Sequence, residues 1–256
     1  MDPHSKASPP PPSSTHLVVI NPMFCVPYPL NLAFTTKTPQ HKSGELAAVD
    51  SAGNIVFQSK ASSFGFTQLI DGSGHTLLTM KSKFWSFRER WQAFAGDSTK
   101  TNDLIFSIRR SSALQFHDDW LVFLSGNTRE KVCDFKITGN YRKKNYTIYR
   151  GDSSSVIAQL RKKHGLNLTI HKHAFGVTIS PCCDYSFVAA LIAIFHIIYV
   201  VNKRLERGPE QRPERRPQLR LERRPQLRLE RLPQLPYRDG SQVMSSSLLS
   251  LVVFVN

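Results

Sequence analysis

The sequence predicts a mainly β protein whose antiparallel strands form a barrel around one apolar helix. Short apolar runs alternate with turn residues through residues 17–202, and helical periodicity is nearly absent before residue 184. Residues 187–201 then form an apolar run in which only His196 is strongly polar. Hairpins of short strands close as a sandwich or as a barrel. A helix that is apolar all round needs protein on every side, which favours a wide barrel with the helix inside it.

The strand predictions rest on apolar runs that recur at roughly 8–12-residue spacing. The turns between them contain Gly, Asn, Asp and Ser, which tolerate the backbone conformations of tight turns. These turns are predicted at residues 50–54, 71–74, 125–128 and 138–140. The strands are predicted at residues 30–34, 45–49, 54–58, 75–80, 103–109, 120–124, 131–137, 146–149 and 175–179.

The apolar run predicts a helix at about residues 184–201. As a helix, residues 187–201 would extend roughly 22 Å, which is short of the roughly 30 Å hydrocarbon core of a bilayer. We therefore predict a buried core helix, and a membrane span is the alternative. Lys203 and Arg204 fit either interpretation, as membrane flanks or as charges that complement the C-terminal helix dipole.

Residues 1–16 form a polar, proline-rich leader that we expect to be disordered. They lack the charged start and continuous apolar segment of a secretory signal, so we expect a protein that is not secreted. Its four cysteines should then stay reduced. The expected location is the cytoplasm, either peripherally at the plasma membrane or with entry into the nucleus.

Residues 203–256 form an Arg-, Pro- and Leu-rich tail. The sequence RPQLRLER at residues 216–223 recurs at residues 224–231, and a third copy begins at Leu232. Proline every eight residues breaks a helix, and the Arg-rich stretches between have no apolar face to bury. We expect a disordered tail, for which an unusual gene model or a repeat expansion is a reasonable explanation.

The charge of the chain predicts an anionic partner. The 256 residues contain 34 Lys and Arg against 19 Asp and Glu, a formal net charge of +15. Such an excess is typical of proteins that meet nucleic acid or acidic lipid. The tail alone holds 12 basic and 6 acidic residues, so the rest carries only +9 over 202 residues. That scattered excess argues against a dedicated nucleic-acid binder.

No motif predicts an enzyme, a cofactor or a metal. The Gly-Asp-Ser sequences at residues 96–98 and 151–153 resemble the nucleophile of GDS lipases, but no later His has an Asp three residues before it. Both are interpreted as turns. The sequence has no phosphate-binding loop, Rossmann glycine motif or EF-hand loop. His171 and His173 near Cys182 and Cys183 could in principle bind zinc, but adjacent cysteines rarely chelate one tetrahedral ion.

Basic clusters supply the candidate binding residues. Arg142, Lys143 and Lys144 lie at a predicted hairpin tip, and a second cluster contains Arg161 and Lys163. Near an anionic membrane each such charge contributes about 1 kcal/mol. We predict these five residues as contacts for anionic lipid, with a merely solvated loop as the alternative for each cluster.

Six segments together resemble a known family. They are NPMFCVPYP (21–29), KFWSFRERW (83–91), IFSIRRSS (105–112), VCDFKITG (132–139), YRGDSS (149–154) and DYSFVAALI (184–192). Over roughly residues 17–198 the chain resembles the plant LURP-one-related family. That resemblance implies a fold similar to the Tubby C-terminal and phospholipid scramblase domains, with twelve strands closed around a central hydrophobic helix. Family members normally end soon after this helix, so the tail is a departure.

The resemblance also implies a function. It implies membrane tethering or phosphoinositide binding, and a link to plant defence. The sequence lacks the acidic calcium segment and the palmitoylated cysteine cluster of scramblases, so lipid scrambling is not expected. We expect a monomeric, non-enzymatic binding or interaction module at anionic phospholipid surfaces, with protein partners that the sequence does not identify. The alternatives are a nuclear or nucleic-acid-associated regulator and a scramblase-like membrane protein anchored by residues 187–201.

Overall fold

The structure, a computed structural model, describes residues 16–36, 45–62, 65–83, 89–111, 119–161 and 174–206. All of these lie in one compact unit, Met1–Arg212. Within them the chain forms twelve strands, one α-helix and two short 3-10 turns, Pro22–Phe24 and Thr101–Asp103. The elements are β1 (Leu30–Thr35), β2 (Ala47–Val49), β3 (Ile55–Ala61), β4 (Thr67–Asp71), β5 (Thr76–Ser82), β6 (Arg90–Ala95), β7 (Leu104–Arg110), β8 (Trp120–Leu124), β9 (Phe135–Asn140), β10 (Asn145–Arg150), β11 (Val156–Arg161), β12 (Phe175–Ile179) and α1 (Tyr185–Glu206).

The strands form one closed antiparallel barrel. Each strand pairs with the next along the chain, and β1 pairs with β12 to close the sheet. The closing ladder places Phe34 opposite Phe175, and their rings stack with centroids 5.6 Å apart. Closure leaves no unpaired strand edge along the sheet. The predicted twelve-stranded barrel is confirmed.

The first half of α1 fills the barrel. Residues 187–195 are each 3% exposed or less. The ring of Phe187 meets Phe106 of β7 at 5.2 Å and Phe135 of β9 at 4.8 Å, centroid to centroid. Burial of each large apolar side chain contributes roughly 1.5–3 kcal/mol. The predicted enclosed helix is confirmed. A barrel of this width needs a core inside it, and the side chains of the apolar helix form that core.

A buried carboxylate, Asp184, fixes the start of α1. Its Oδ1 accepts hydrogen bonds from the amides of Ser186 at 3.0 Å and Phe187 at 3.2 Å. Its Oδ2 accepts from the amides of residues 19–21 at 2.6–3.1 Å. The carboxylate thus satisfies amides of the first helical turn and complements the helix dipole. The same carboxylate holds residues 19–21, which precede β1, against the end of the barrel where α1 begins.

The helix is longer than the sequence predicts. We expected an end near residue 201, but α1 continues to Glu206, so residues 203–206 are helical rather than part of a disordered tail. The stretch Tyr185–Lys203 is long and apolar enough to cross a membrane by length and composition. Its first half nevertheless packs inside the barrel. The remainder of the predicted tail, and residues 1–15 of the predicted leader, lie outside the described residues.

The two Gly-Asp-Ser sequences lie in connections between strands, as predicted. Gly96 (φ 55°) follows β6, and Gly151 (φ 56°) follows β10. Both glycines adopt the left-handed conformation that turns require. His171 and His173 lie outside the described residues.

Candidate functional site

A half-open cavity of about 280 Å³ lies at the end of the barrel where α1 emerges. Two kinds of side chain line it. The aromatic ones are Trp120, Tyr141, Tyr146, Phe195 and Tyr199. The polar ones are Arg110, Asn140, Arg142 and Asn202. The cavity therefore combines ring faces with cationic and amide groups at one mouth of the barrel.

The helix and two hairpins bring these groups together. Phe195, Ile198, Tyr199 and Asn202 follow each other at i, i+3, i+4 and i+7, so one face of α1 looks into the cavity. The last residue of β7 pairs with the first residue of β8, which sets Arg110 beside Trp120. The four-residue turn 141–144 between β9 and β10, the next hairpin around the barrel, supplies Tyr141 and Arg142.

The rings pack against each other at the base of the cavity. Phe195 of the helix stacks on Tyr146 of β10, with centroids 4.7 Å apart and planes 29° apart. The same ring meets Trp120 of β8 in a T-shaped contact at 5.5 Å. Such aromatic pairs add about 0.5–1.5 kcal/mol beyond their area burial. The base of the cavity is thus a tightly packed aromatic cluster.

The one strongly polar residue predicted within the apolar run, His196, is buried and hydrogen-bonded. Its Nδ1 lies 3.2 Å from the hydroxyl oxygen of Tyr141, and both residues are buried. Burial raises the pKa of the Tyr141 hydroxyl above its ordinary value, and the neighbouring Tyr146 and Tyr199 add to the rise. The hydroxyl thus keeps its proton, and the tautomer of the imidazole decides which of the two groups donates.

Lys144, predicted as a lipid contact, points into an aromatic cage. Its Nζ lies 3.7 Å from the ring centroid of Tyr141, 4.3 Å from that of Phe175 and 5.7 Å from that of Tyr199. A left-handed backbone, φ 53°, turns the side chain inward. Burial lowers the pKa of its amine to about 8. This lysine therefore holds the β9–β10 turn against the helix end through cation–π contacts.

The other four predicted contacts are placed differently. Arg142 is exposed and its guanidinium pairs with the carboxylate of Glu206 at the end of α1. Lys143 is exposed beside it. Arg161 ends β11 with its backbone opposite Gly176, and its side chain, like all of Lys163, lies outside the described residues. The structure therefore brings Arg142, Lys143 and Lys144 to the cavity mouth.

Sequence reasoning did not identify the aromatic residues of this cavity. Tyr141 directly precedes the predicted cluster, and Tyr199 lies three residues after His196. Each is therefore close in sequence to a residue already noted. Arg110 belongs to the segment IFSIRRSS (105–112) but not to the predicted site. The helical spacing of Phe195 and Tyr199 was the available signal for a shared face.

The opposite end of the barrel holds three of the four cysteines and no group that binds metal in the described part of the chain. Cys25, Cys182 and Cys183 are free thiols next to Asp184. Burial raises the pKa of Cys25, and that of Cys183 to about 11, with the nearby carboxylate and thiols contributing. The thiols of Cys25 and Cys183 are therefore protonated at neutral pH and poor nucleophiles.

Comparison with known proteins gives one consistent result. A family model described as LURP-one-related matches residues 31–196. Among similar proteins from Arabidopsis thaliana, Protein LURP-one-related 15 is 37% identical over 181 residues, covering 69% of this chain and 83% of its own. Protein LURP1 is 34% identical over 181 residues, covering 69% and 87%. An X-ray structure of another Arabidopsis thaliana protein superposes with a TM-score of 0.56 at 32% identity, covering 71% of this chain and 98% of its own.

Proposed function

The chain belongs to the LURP-one-related family, and we propose that it is a non-enzymatic binding module whose barrel mouth associates with anionic phospholipid surfaces. The observation that carries this proposal is the gathering of cations around the aromatic mouth. Arg142, Lys143 and Lys203 are exposed there, and Arg110 lines the cavity beside them. Each exposed cation near an anionic membrane contributes about 1 kcal/mol.

The aromatic residues support the same orientation. Tyr199 lies at the mouth, with the Nζ of Lys203 5.7 Å from its ring centroid. Tyrosine combines an apolar body with a polar tip and favours the boundary between headgroups and water. A mouth with exposed cations and tyrosines can therefore meet headgroup phosphates without insertion of the barrel.

Peripheral association fits the position of the apolar helix. Residues 187–195 contact barrel side chains rather than an outer surface, so exposing them to lipid would empty the core. The cost would be the burial of several large apolar side chains, each worth roughly 1.5–3 kcal/mol. Surface contact through the mouth leaves this core intact.

Vesicle flotation tests the proposal. We expect the protein to float with phosphatidylcholine vesicles that contain phosphatidylserine or phosphatidylinositol bisphosphate, and not with phosphatidylcholine alone. The double variant Lys143→Ala/Lys203→Ala removes two exposed charges at the mouth and should weaken partition roughly 30-fold, from about 1 kcal/mol per charge.

The matched control is Arg129→Ala/Lys131→Ala. It removes the same charge from exposed residues in the β8–β9 connection, none of which lines the cavity. We expect this control to keep nearly full binding, because these residues do not belong to the mouth. Equal losses in both variants, DNA binding with a steep salt dependence in place of lipid binding, or association that survives carbonate extraction would each overturn the proposal.

A further inference from the structure

The cavity at the barrel mouth combines an apolar base with a cationic rim. Its base is the ring surface of Trp120, Tyr146 and Phe195, and its rim carries the guanidinium groups of Arg110 and Arg142. Its volume, about 280 Å³, is at the small end of the range for ligand pockets and fits roughly one substituted ring. The base favours a flat apolar body, whereas the rim favours an anion.

Arg142 already holds a carboxylate at this rim. Its partner is Glu206, and the two side chains are 56% and 58% exposed. An ion pair this exposed is worth about 1 kcal/mol or less, so a ligand carboxylate can replace Glu206. The planar guanidinium is also suited to bidentate contact with a carboxylate.

We propose that the cavity binds a small aromatic carboxylate, with its ring inside the aromatic-lined cavity and its carboxylate on Arg142 in place of Glu206. Charge complementarity selects the anion, since the mouth also carries Arg110 and the amine of Lys144. Contacts with the aromatic lining favour an aromatic ring over an aliphatic body. The site shares Arg110 and Arg142 with the mouth proposed for lipid association, but it does not need the exposed lysines, Lys143 and Lys203.

Titration of the full-length protein with benzoate and benzamide in the absence of lipid tests the site. The two probes share size and shape but differ in charge. We expect benzoate to bind and benzamide to bind about tenfold more weakly, because it lacks the charged contact with Arg142. Benzoate should also shift the NMR signal of the Trp120 indole N–H, because Trp120 lines the cavity.

Two variants of opposite effect distinguish this site from general damage. Arg142→Ala should weaken benzoate binding about tenfold, whereas Arg129→Ala, an exposed arginine away from the mouth, should leave it unchanged. Glu206→Gln should strengthen binding several-fold, since it removes the competing carboxylate. Absence of benzoate binding, equal binding of benzamide, an unmoved Trp120 signal, or indifference to Arg142→Ala and Glu206→Gln would each overturn the proposal.

Discussion

Asp184 stabilises two parts of the fold through one side chain. It is 1% exposed and accepts hydrogen bonds from the first turn of α1 and from the amides of residues 19–21. Asp184→Asn places an NH₂ group against amides that need an acceptor, whichever way the amide is oriented. Buried hydrogen bonds to charged groups are worth about 1.5–3 kcal/mol each, so we expect a loss of at least about 3 kcal/mol in the free energy of unfolding. Urea denaturation measures it.

Asp97→Asn is the control for this substitution. Asp97 accepts one exposed hydrogen bond, from Nε2 of Gln68 at 2.7 Å. Its replacement should change the free energy of unfolding by about 0.5 kcal/mol or less. Equal stability of the two variants would contradict the role assigned to Asp184.

Lys144 should make stability depend on alkaline pH. Burial lowers the pKa of its amine from the ordinary 10.5 to about 8, so between these values the unfolded chain binds more protons than the folded one. The free energy of unfolding therefore rises as the pH rises from about 8, and Lys144→Met should remove this rise. The raised pKa values of Cys25, Cys183 and Tyr141 act in the opposite direction as the pH passes the ordinary values of 9 for the thiols and 10 for the tyrosine. The measurement therefore belongs between about pH 7.5 and 9 and compares the slope of Lys144→Met with that of the wild type.

Lys143→Met is the control, since it removes an exposed amine from the same turn. It should keep the wild-type pH slope, and a wild-type slope in Lys144→Met as well would contradict the burial argument.

The two lysines also show what could not be predicted from the sequence. Charge at residues 142–144 is visible in the sequence, but the inward turn of Lys144 depends on a left-handed backbone and on rings from β12 and α1.

The enclosure of α1 predicts strongly position-dependent effects along one helix. Ala189 is 1% exposed in the barrel core, whereas Val201 is 45% exposed beyond it. Ala189→Asp buries an unpaired carboxylate and should unfold the protein, because such burial costs more than the few kcal/mol of net stability that domains possess. Val201→Asp should cost about 1 kcal/mol or less. Circular dichroism on thermal melting compares them, and similar melting temperatures would contradict enclosure.

Three strands, β4, β6 and β11, carry no strand prediction from sequence, and the burial of two of them shows why. β4, with the sequence TQLID, has one buried side chain, Leu69, and its other apolar residue, Ile70, is only half-buried. In β6 the alternation is hidden because Phe94 is buried on the outer face, where the Nζ of Lys81 lies 4.6 Å from its ring centroid. When a neighbouring strand buries a side chain, the strand's own alternation of apolar and polar residues does not show it.

A glycine explains the misplaced turn. Residues 138–140 were predicted as a turn, but Gly139 lies within β9. A Cβ there would lie 2.0 Å from the carbonyl oxygen of Asn145 on β10, and the φ of 120° excludes most other residues. Glycine here permits close approach between strands rather than a reversal, and the reversal falls on residues 141–144. A glycine that allows two strands to approach closely and a glycine that allows a turn look the same in the local sequence.

The whole molecule has two unlike ends, and only the topology reveals this. One end is closed by the segment before β1 through Asp184, and the other carries the aromatic cavity. The cavity draws on the β7–β8 pair, the turn before β10 and the last turns of α1, which are up to 92 residues apart in the chain, from Arg110 to Asn202. The barrel could be predicted from hairpin spacing and the apolar helix, whereas the cavity depends on register among distant segments.

The position of the core predicts that a chain ending at Glu206 keeps the fold. The closed barrel, all of α1 and the hydrophobic core cluster lie at or before that residue. Removing residues 207–256 should shift the melting temperature by less than about 2 °C, which corresponds to about 0.5 kcal/mol. The exposed mouth cations also remain, so binding to anionic vesicles should persist. A chain ending at Asn202 should be compared with it in the same two measurements, because the shorter chain also loses Lys203 and Glu206, the partner of Arg142. A large fall in melting temperature for the longer truncated chain would show that residues 207–256 contribute to the folded unit.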